Sequence, residues 1–218
     1  MNRPNRASPA ATGQPKNFKN NRVLQAIIAI YAIVWLIAAI SPTNRFDWLL
    51  ENLLVFAFVG LLAGTYRRFA FSNLSYGLIA VFLCLHAVGA HYNYSHSPIG
   101  FWLQSALDME RNHYDRVIHF LFGLLFSYPL HELARRAGRI SGRWCYLVSL
   151  ALILACSNFY EIVEWAAAEI FDPEAALAFL GTQGDVFDAQ KDAALALAGA
   201  ILGLSLTALS RKARLQAH

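Results

Sequence analysis

The chain has 218 residues, 57% of them hydrophobic and 15% charged, with a mean hydropathy of +0.39. A soluble globular domain carries about a quarter of its residues as charges, so that class is excluded. The net charge of +4 raises nucleic acid as a partner, and the distribution of the charges along the chain excludes it.

Several apolar runs approach the roughly 20 residues that a helix needs to cross a bilayer. Strand-like alternation is absent, and a spanning segment must satisfy its own backbone, so the expected fold is all-α, a polytopic membrane helical bundle rather than a barrel. Cys84, Cys145 and Cys156 sit in or beside apolar runs, none in a Cys-x-x-Cys pair. An odd number of such thiols supports neither a disulfide framework nor a zinc-thiolate site.

In chain order, residues 1–21 are polar, basic and free of acids, which predicts a disordered cytoplasmic arm. Residues 22–210 form one transmembrane domain with six expected spans, about 22–41, 48–66, 73–91, 113–131, 143–168 and 188–210; residues 211–218 form a cytoplasmic tail. The first apolar run, Val23 to Ile40, is longer than the roughly 7–15 residues of a signal-peptide core. It also lacks a good cleavage site, so the helix is expected to be retained.

Orientation follows from lysine and arginine. The arm with the adjoining Arg22 carries five, the second-to-third connection two (Arg67, Arg68), the fourth-to-fifth four, and the tail three, so 14 of the 18 fall on one side. That side is expected to be the cytoplasm, with both termini inside. Of 14 acidic residues only Glu132 shares it. The basic excess directs membrane insertion and is not a nucleic-acid patch.

The outer ends of four spans then share one leaflet. The third brings His86 and His91, the fourth His113, Asp115 and His119, the fifth Asn158, Glu161 and Glu164, and the sixth Asp185, Asp188 and Asp192. Residues three or four apart share a helix face, as do Asp115 with His119 and Asp188 with Asp192. His86, His119, Glu161 and Asp192 lie about 6–10 Å inside the outer ends at 1.5 Å per residue. His86, His119, Glu161 and Asp188 are expected around one cavity. Crowded carboxylates at low dielectric need a metal, the nearby Arg111, Arg116 and Lys191, or protons. Imidazole with carboxylate suits zinc, iron or manganese.

Structural readings stand beside these. Asp185 follows a glycine and is simply read as an N-cap, with Asp188 helping the helix dipole. His91 and His96 belong to a tyrosine-rich interfacial loop. Asp47 and Glu51 are read as dipole partners at the start of the second span, and His131 and Glu132 as a solvated pair among arginines. For the central residues the alternative to a site is a hydrogen-bonded network joining helices.

The run RNHYDRVIHF, the Glu-x-x-Glu-Trp of the fifth span and LGTQGDVFDAQKD resemble the YjdF-like family of bacterial inner-membrane proteins, over about residues 20–210. The resemblance implies a multi-pass protein of the bacterial inner membrane and no particular reaction. Where Phe187 and Lys191 stand the family pattern has tryptophans, and the lysine adds a positive charge between Asp188 and Asp192.

Three functions fit. The first is a metal-dependent hydrolase or transferase acting on a lipid or lipid-linked head group. His86, His113, Asp115, His119, Asp185, Asp188 and Asp192 are its candidate metal ligands, Glu161 and Glu164 its candidate catalytic bases, and Arg111 and Arg116 its candidate phosphate-binding residues. The second is a proton- or cation-coupled carrier, disfavoured because the ionisable residues stop at one leaflet. The third is a membrane module whose polar cluster only fixes the fold. No Gly-x-Ser-x-Gly, P-loop, dinucleotide fingerprint or HExxH occurs, so none of those chemistries is supported. Membrane lipids are the expected surroundings.

Overall fold

A computed structural model describes residues 18–170 and 182–216. Most of the expected arm, the larger part of the 169–187 connection and the last two residues of the expected tail lie outside the described residues. Within them the chain is helical without strands: a 3-10 turn at Phe18–Asn20, then α1 (Arg22–Ala38), α2 (Arg45–Thr65), α3 (Asn73–His91), α4 (Pro98–Ala106), α5 (Tyr114–Arg136), α6 (Gly142–Ile170) and α7 (Asp188–Gln216). Helices α2, α3, α5, α6 and α7 are long and apolar enough to cross a membrane; α1 is apolar but has 17 residues. The molecule is a polytopic helical membrane bundle. Helix α7 continues through most of the expected tail, to Gln216.

Side-chain caps set several helix starts. Asn21 Oδ1 accepts from Leu24 N at 3.2 Å, Asn44 Oδ1 from Phe46 N at 2.9 Å, and Ser72 Oγ from Ser75 N at 3.2 Å. Each satisfies one of the backbone N–H groups that a helix leaves open at its first turn. Helix α4 lies in the connection between the third and fourth expected spans, just after the tyrosine-rich loop. Pro98 occupies its first position, where no backbone N–H is needed, and Ile99, Phe101 and Trp102 are left exposed. That composition suits a short helix lying in the membrane interface.

Helix α5 is central, packed against α3, α6 and α7. Its tightest contact is with α7, where Ala196 and Ala200 are fully buried. A Cβ placed on Gly123 would lie 2.0 Å from the Ala196 carbonyl oxygen, and one on Gly199 2.0 Å from that of Phe120. Gly199 and Gly203 are four residues apart, the small-residue spacing that lets membrane helices approach backbone to backbone. Ser127 Oγ lies 2.7 Å from the Gly123 carbonyl and 3.2 Å from that of Ala200, so the hydroxyl also reaches across the contact.

The end carrying Arg135 and Arg136 overturns one expectation. His131 and Glu132 are not a solvated pair: they are 2% and 6% exposed. Glu132 accepts from Ser72 N at 3.0 Å, from Ser72 Oγ at 2.9 Å, from Ser75 Oγ at 2.5 Å and from Arg136. One carboxylate therefore fastens the start of α3 to α5, which a charged residue among arginines does not disclose by sequence. Glu132→Gln should destabilise the protein by about 2 kcal/mol, since an amide cannot accept all of these donors. A detergent melting curve no lower than wild type would contradict that role.

Candidate functional site

At the opposite end the polar side chains form three layers. The first is an ion-pair network. Asn112, 2% exposed, positions it: its Oδ1 accepts from Tyr114 N at 3.0 Å, and its Nδ2 donates to the Ser97 carbonyl at 3.0 Å. Its backbone N–H and carbonyl both bond the side chain of Gln183, at 3.2 and 2.9 Å. The start of α5 is thereby joined to α4 and to the segment leading into α7.

Arg111 Nη1 then sits 2.9 Å from Asp188 Oδ1 and donates to the Thr182 carbonyl at 2.8 Å. Arg116 bonds Asp185 and lies 3.3 Å from Asp188 Oδ1, and Lys191 Nζ lies 2.5 Å from Asp185 Oδ2. The hydrogen bond from Lys191, the Phe187 N–H and Arg116 hold the Asp185 carboxyl well below the usual carboxylate range. Burial, with Arg116 and Arg111 alongside, pushes the His113 imidazole down, toward its neutral form. Three buried guanidinium nitrogens, Arg111 Nε and Nη2 and Arg116 Nε, have no hydrogen-bond partner among the described residues.

The second layer lies just inside the first. Asp115, His119 and Asp192 each offer a ligand atom, and these atoms lie within 4.8 Å of one another. Asp192 is 1% exposed and its Oδ1 is unpartnered. Glu161 Oε1 lies 3.2 Å from His119 Nε2 and is also buried without a hydrogen bond. The first layer has three cations against two carboxylates. The second has three carboxylates, and none of them forms an ion pair with lysine or arginine among the described residues.

The third layer borders a cavity of about 400 Å³ between α2, α3, α5 and α6. His86 Nδ1 pairs with the Tyr94 hydroxyl at 2.5 Å, and its Nε2 lies 3.4 Å from the Glu51 carbonyl. The Tyr160 hydroxyl donates to the Glu51 carboxylate, joining α6 to α2. Glu164 is within electrostatic reach of Glu51, Asp115, Glu161 and Asp192. His86, Asp115 and His119 line one end of the cavity; Phe58, Leu83, Phe122 and Phe126 are among the groups lining the rest. Helices α2 and α6 do not pack along their length. Leu61 and Phe159, which also line the cavity, are exposed on the membrane-facing surface.

The structure thus distributes the sequence-derived candidates. Asp115, His119, Glu161 and Asp192 converge; of these Asp115 and His119 line the cavity, which His86 reaches from α3, whereas Glu161 and Asp188, expected around it with them, are not among its lining residues. Asp185 and Asp188 are engaged by Arg111, Arg116 and Lys191, and His113 lies beside Arg116 at 3.3 Å. Asp185 is not the N-cap: its Oδ1 accepts from Phe187 N at 3.1 Å in a turn ahead of the helix, the Phe187 carbonyl takes the first helical bond, from Lys191 N, and Asp188 is the first residue of α7 and not its third. Asn158 is exposed and bonds back to the Leu154 carbonyl, so it leaves the stripe that it shares by spacing with Glu161.

Sequence reasoning missed Glu51, Tyr94, Tyr160 and Asn112. For Glu51 a signal existed: it lies one turn deeper than Asp47, as Asp192 does relative to Asp188, beyond the reach of a helix-end dipole. Tyr94 sat unremarked in an aromatic belt.

Comparison with known proteins agrees with this architecture. A family described as "Predicted membrane protein (DUF2238)" matches residues 23–213. The chain is 34% identical over 180 residues to "Inner membrane protein YjdF" of Escherichia coli (strain K12), covering 82% of this chain and 86% of that protein. No solved structure matches. A match that runs from the start of α1 into the last turns of α7 takes in every helix described above, and the chain belongs to the DUF2238 family of membrane proteins, as its YjdF-like motifs imply.

Proposed function

We propose that the protein is a membrane-embedded, metal-dependent hydrolase or transferase acting on a lipid or lipid-linked head group, with its site facing the periplasm and both termini in the cytoplasm. The observation that carries this is the meeting of the Asp115–His119–Asp192 cluster with a largely apolar cavity bordering the membrane. The cluster supplies one imidazole and two carboxylates, a donor set suited to zinc, iron or manganese. The unpartnered Asp192 and Glu161 oxygens supply buried negative charge that calls for a cation. A bound ion there would polarise an oxygen and lower the pKa of coordinated water.

The protein's own residues supply the rest. The three buried, unpartnered guanidinium nitrogens of Arg111 and Arg116 suit phosphate oxygens, which a planar guanidinium binds in pairs. An acyl or isoprenoid chain fits the cavity between α2 and α6. In hydrolysis, a water oxygen bonds to the head-group phosphorus, Glu161 takes the proton released, and the leaving oxygen departs with its bonding electrons. Glu164, electrostatically linked to Glu161, is the reserve base.

A phospholipid with a diazirine midway along one acyl chain tests the substrate class. It should crosslink within Leu54–Leu61 of α2 and at Phe159, and Ala57→Trp should abolish this by filling the cavity. Crosslinks confined to the outward face of α1 would sink the lipid reading. Orientation is tested separately, in a background with the three cysteines replaced by serine. Asp108→Cys should react with an impermeant maleimide from the periplasm, and Ser141→Cys should not. The reverse pattern would invert the topology.

A further inference from the structure

At the basic end, a second groove of about 580 Å³ runs between α3 and α7 with α5 as its floor. Helices α3 and α7 have no extensive packing on each other among the described residues. Leu74 and Leu78 form one wall, Leu124 and Leu125 the floor and Leu206 the other wall, with Leu74 and Leu206 both about half exposed at 52% and 51%. The lower part of the groove is thus shaped for hydrocarbon.

Its mouth is cationic. Arg135 and Arg211 line it together with His131, and both guanidiniums act electrostatically on that imidazole. Neither arginine has a carboxylate partner among the described residues. Arg211 Nη1 lies 3.0 Å from His131 Nε2, an arrangement in which the ring nitrogen accepts and the imidazole adds no negative charge. Glu132, the one acid lining the groove, is already engaged by Ser72, Ser75 and Arg136. Two unneutralised arginines above a leucine-lined groove match an anionic head group above an acyl chain, and basic pockets between membrane helices take such lipids.

We infer that this groove binds an anionic phospholipid, its phosphate between Arg135 and Arg211 and one acyl chain along Leu74, Leu78 and Leu124. The site is separate from the Asp115–His119–Asp192 cluster, at the other end of the bundle, and stands whether or not that cluster holds a metal. Because the groove lies beside the tight α5–α7 contact, an occupant would bridge α3 to α7 where they have no extensive packing among the described residues.

Native mass spectrometry of the full-length protein, released from nanodiscs of mixed phosphatidylglycerol and phosphatidylcholine, tests this. Wild type should retain one phosphatidylglycerol in preference to phosphatidylcholine. Arg135→Gln with Arg211→Gln should weaken that retention roughly thirtyfold, about fivefold for each basic residue near anionic lipid. Leu74→Trp, an exposed position where folding should tolerate the change, should reduce retention by filling the groove while leaving both charges. Equal retention of the two lipids, or unchanged retention in both variants, would overturn the proposal. So would displacement of the lipid by millimolar inorganic phosphate, which would mark the arginines as a phosphate site without use of the apolar groove.

Discussion

Asp192→Asn should remove bound metal while leaving the fold intact. Asp192 is buried, and its Oδ1 has no donor to lose, so the amide keeps the shape and gives up the charge. Taking one charge from a cluster that also holds Asp115 and Glu161 relieves repulsion, so the metal-free variant should melt no lower than metal-free wild type. Metal affinity should fall by roughly a hundredfold or more, the upper end of what even supporting residues around a metal contribute. Asp188→Asn makes the contrast. Asp188 partners Arg111 at 2.9 Å and Arg116 at 3.3 Å, and its loss leaves two buried guanidiniums short of an acceptor. That variant should lose stability and keep its metal. Titration calorimetry with manganese, set beside melting curves, separates the two; equal metal loss in both variants would return Asp188 to the ligand set.

Gly199→Leu should prevent the bundle from assembling. A Cβ at this position would stand 2.0 Å from the Phe120 carbonyl oxygen and 2.9 Å from Leu124 N, both backbone atoms of α5 that no rotamer change can move aside. Overpacking of a close-packed interior costs about 3 kcal/mol, and here the separation of α5 from α7 would also pull Asp192 away from Asp115 and His119. Gly60, whose Cβ would meet nothing within 4 Å, is the control: Gly60→Leu should express and melt like wild type. A monodisperse Gly199→Leu protein with wild-type melting would show that the α5–α7 approach is looser than described.

How far the sequence reaches can be judged from these same residues. The spans were legible because hydrocarbon thickness imposes their length, and the convergence of four helix ends was legible because topology and depth place His119, Glu161 and Asp192 at one level. The division of the acids into an arginine-bound layer and a metal-competent layer was not. Asp188 and Asp192 share a helix face and differ by one turn, and only the axial position of α7 against α5 decides which of them meets Arg111. The Gly199-x-x-x-Gly203 spacing was present to be read and signals a close helix contact, although not its partner. Glu132 was misjudged because the serines that cap α3 are some sixty residues away in sequence, and proximity of that range has no periodic trace. Tyr160 gave no sign, since a tyrosine in a membrane helix is as often lipid-facing as bonded to a buried glutamate.

The most direct measurement is the metal content of the wild-type protein, purified in detergent without chelators and analysed by inductively coupled plasma mass spectrometry, then titrated with zinc and manganese. The arrangement of Asp115, His119 and Asp192 predicts about one ion per chain, with affinity falling as pH drops and protons compete for the carboxylates and imidazole. A protein that is purified without metal, and takes up neither ion on titration, would contradict the metal-dependent reading.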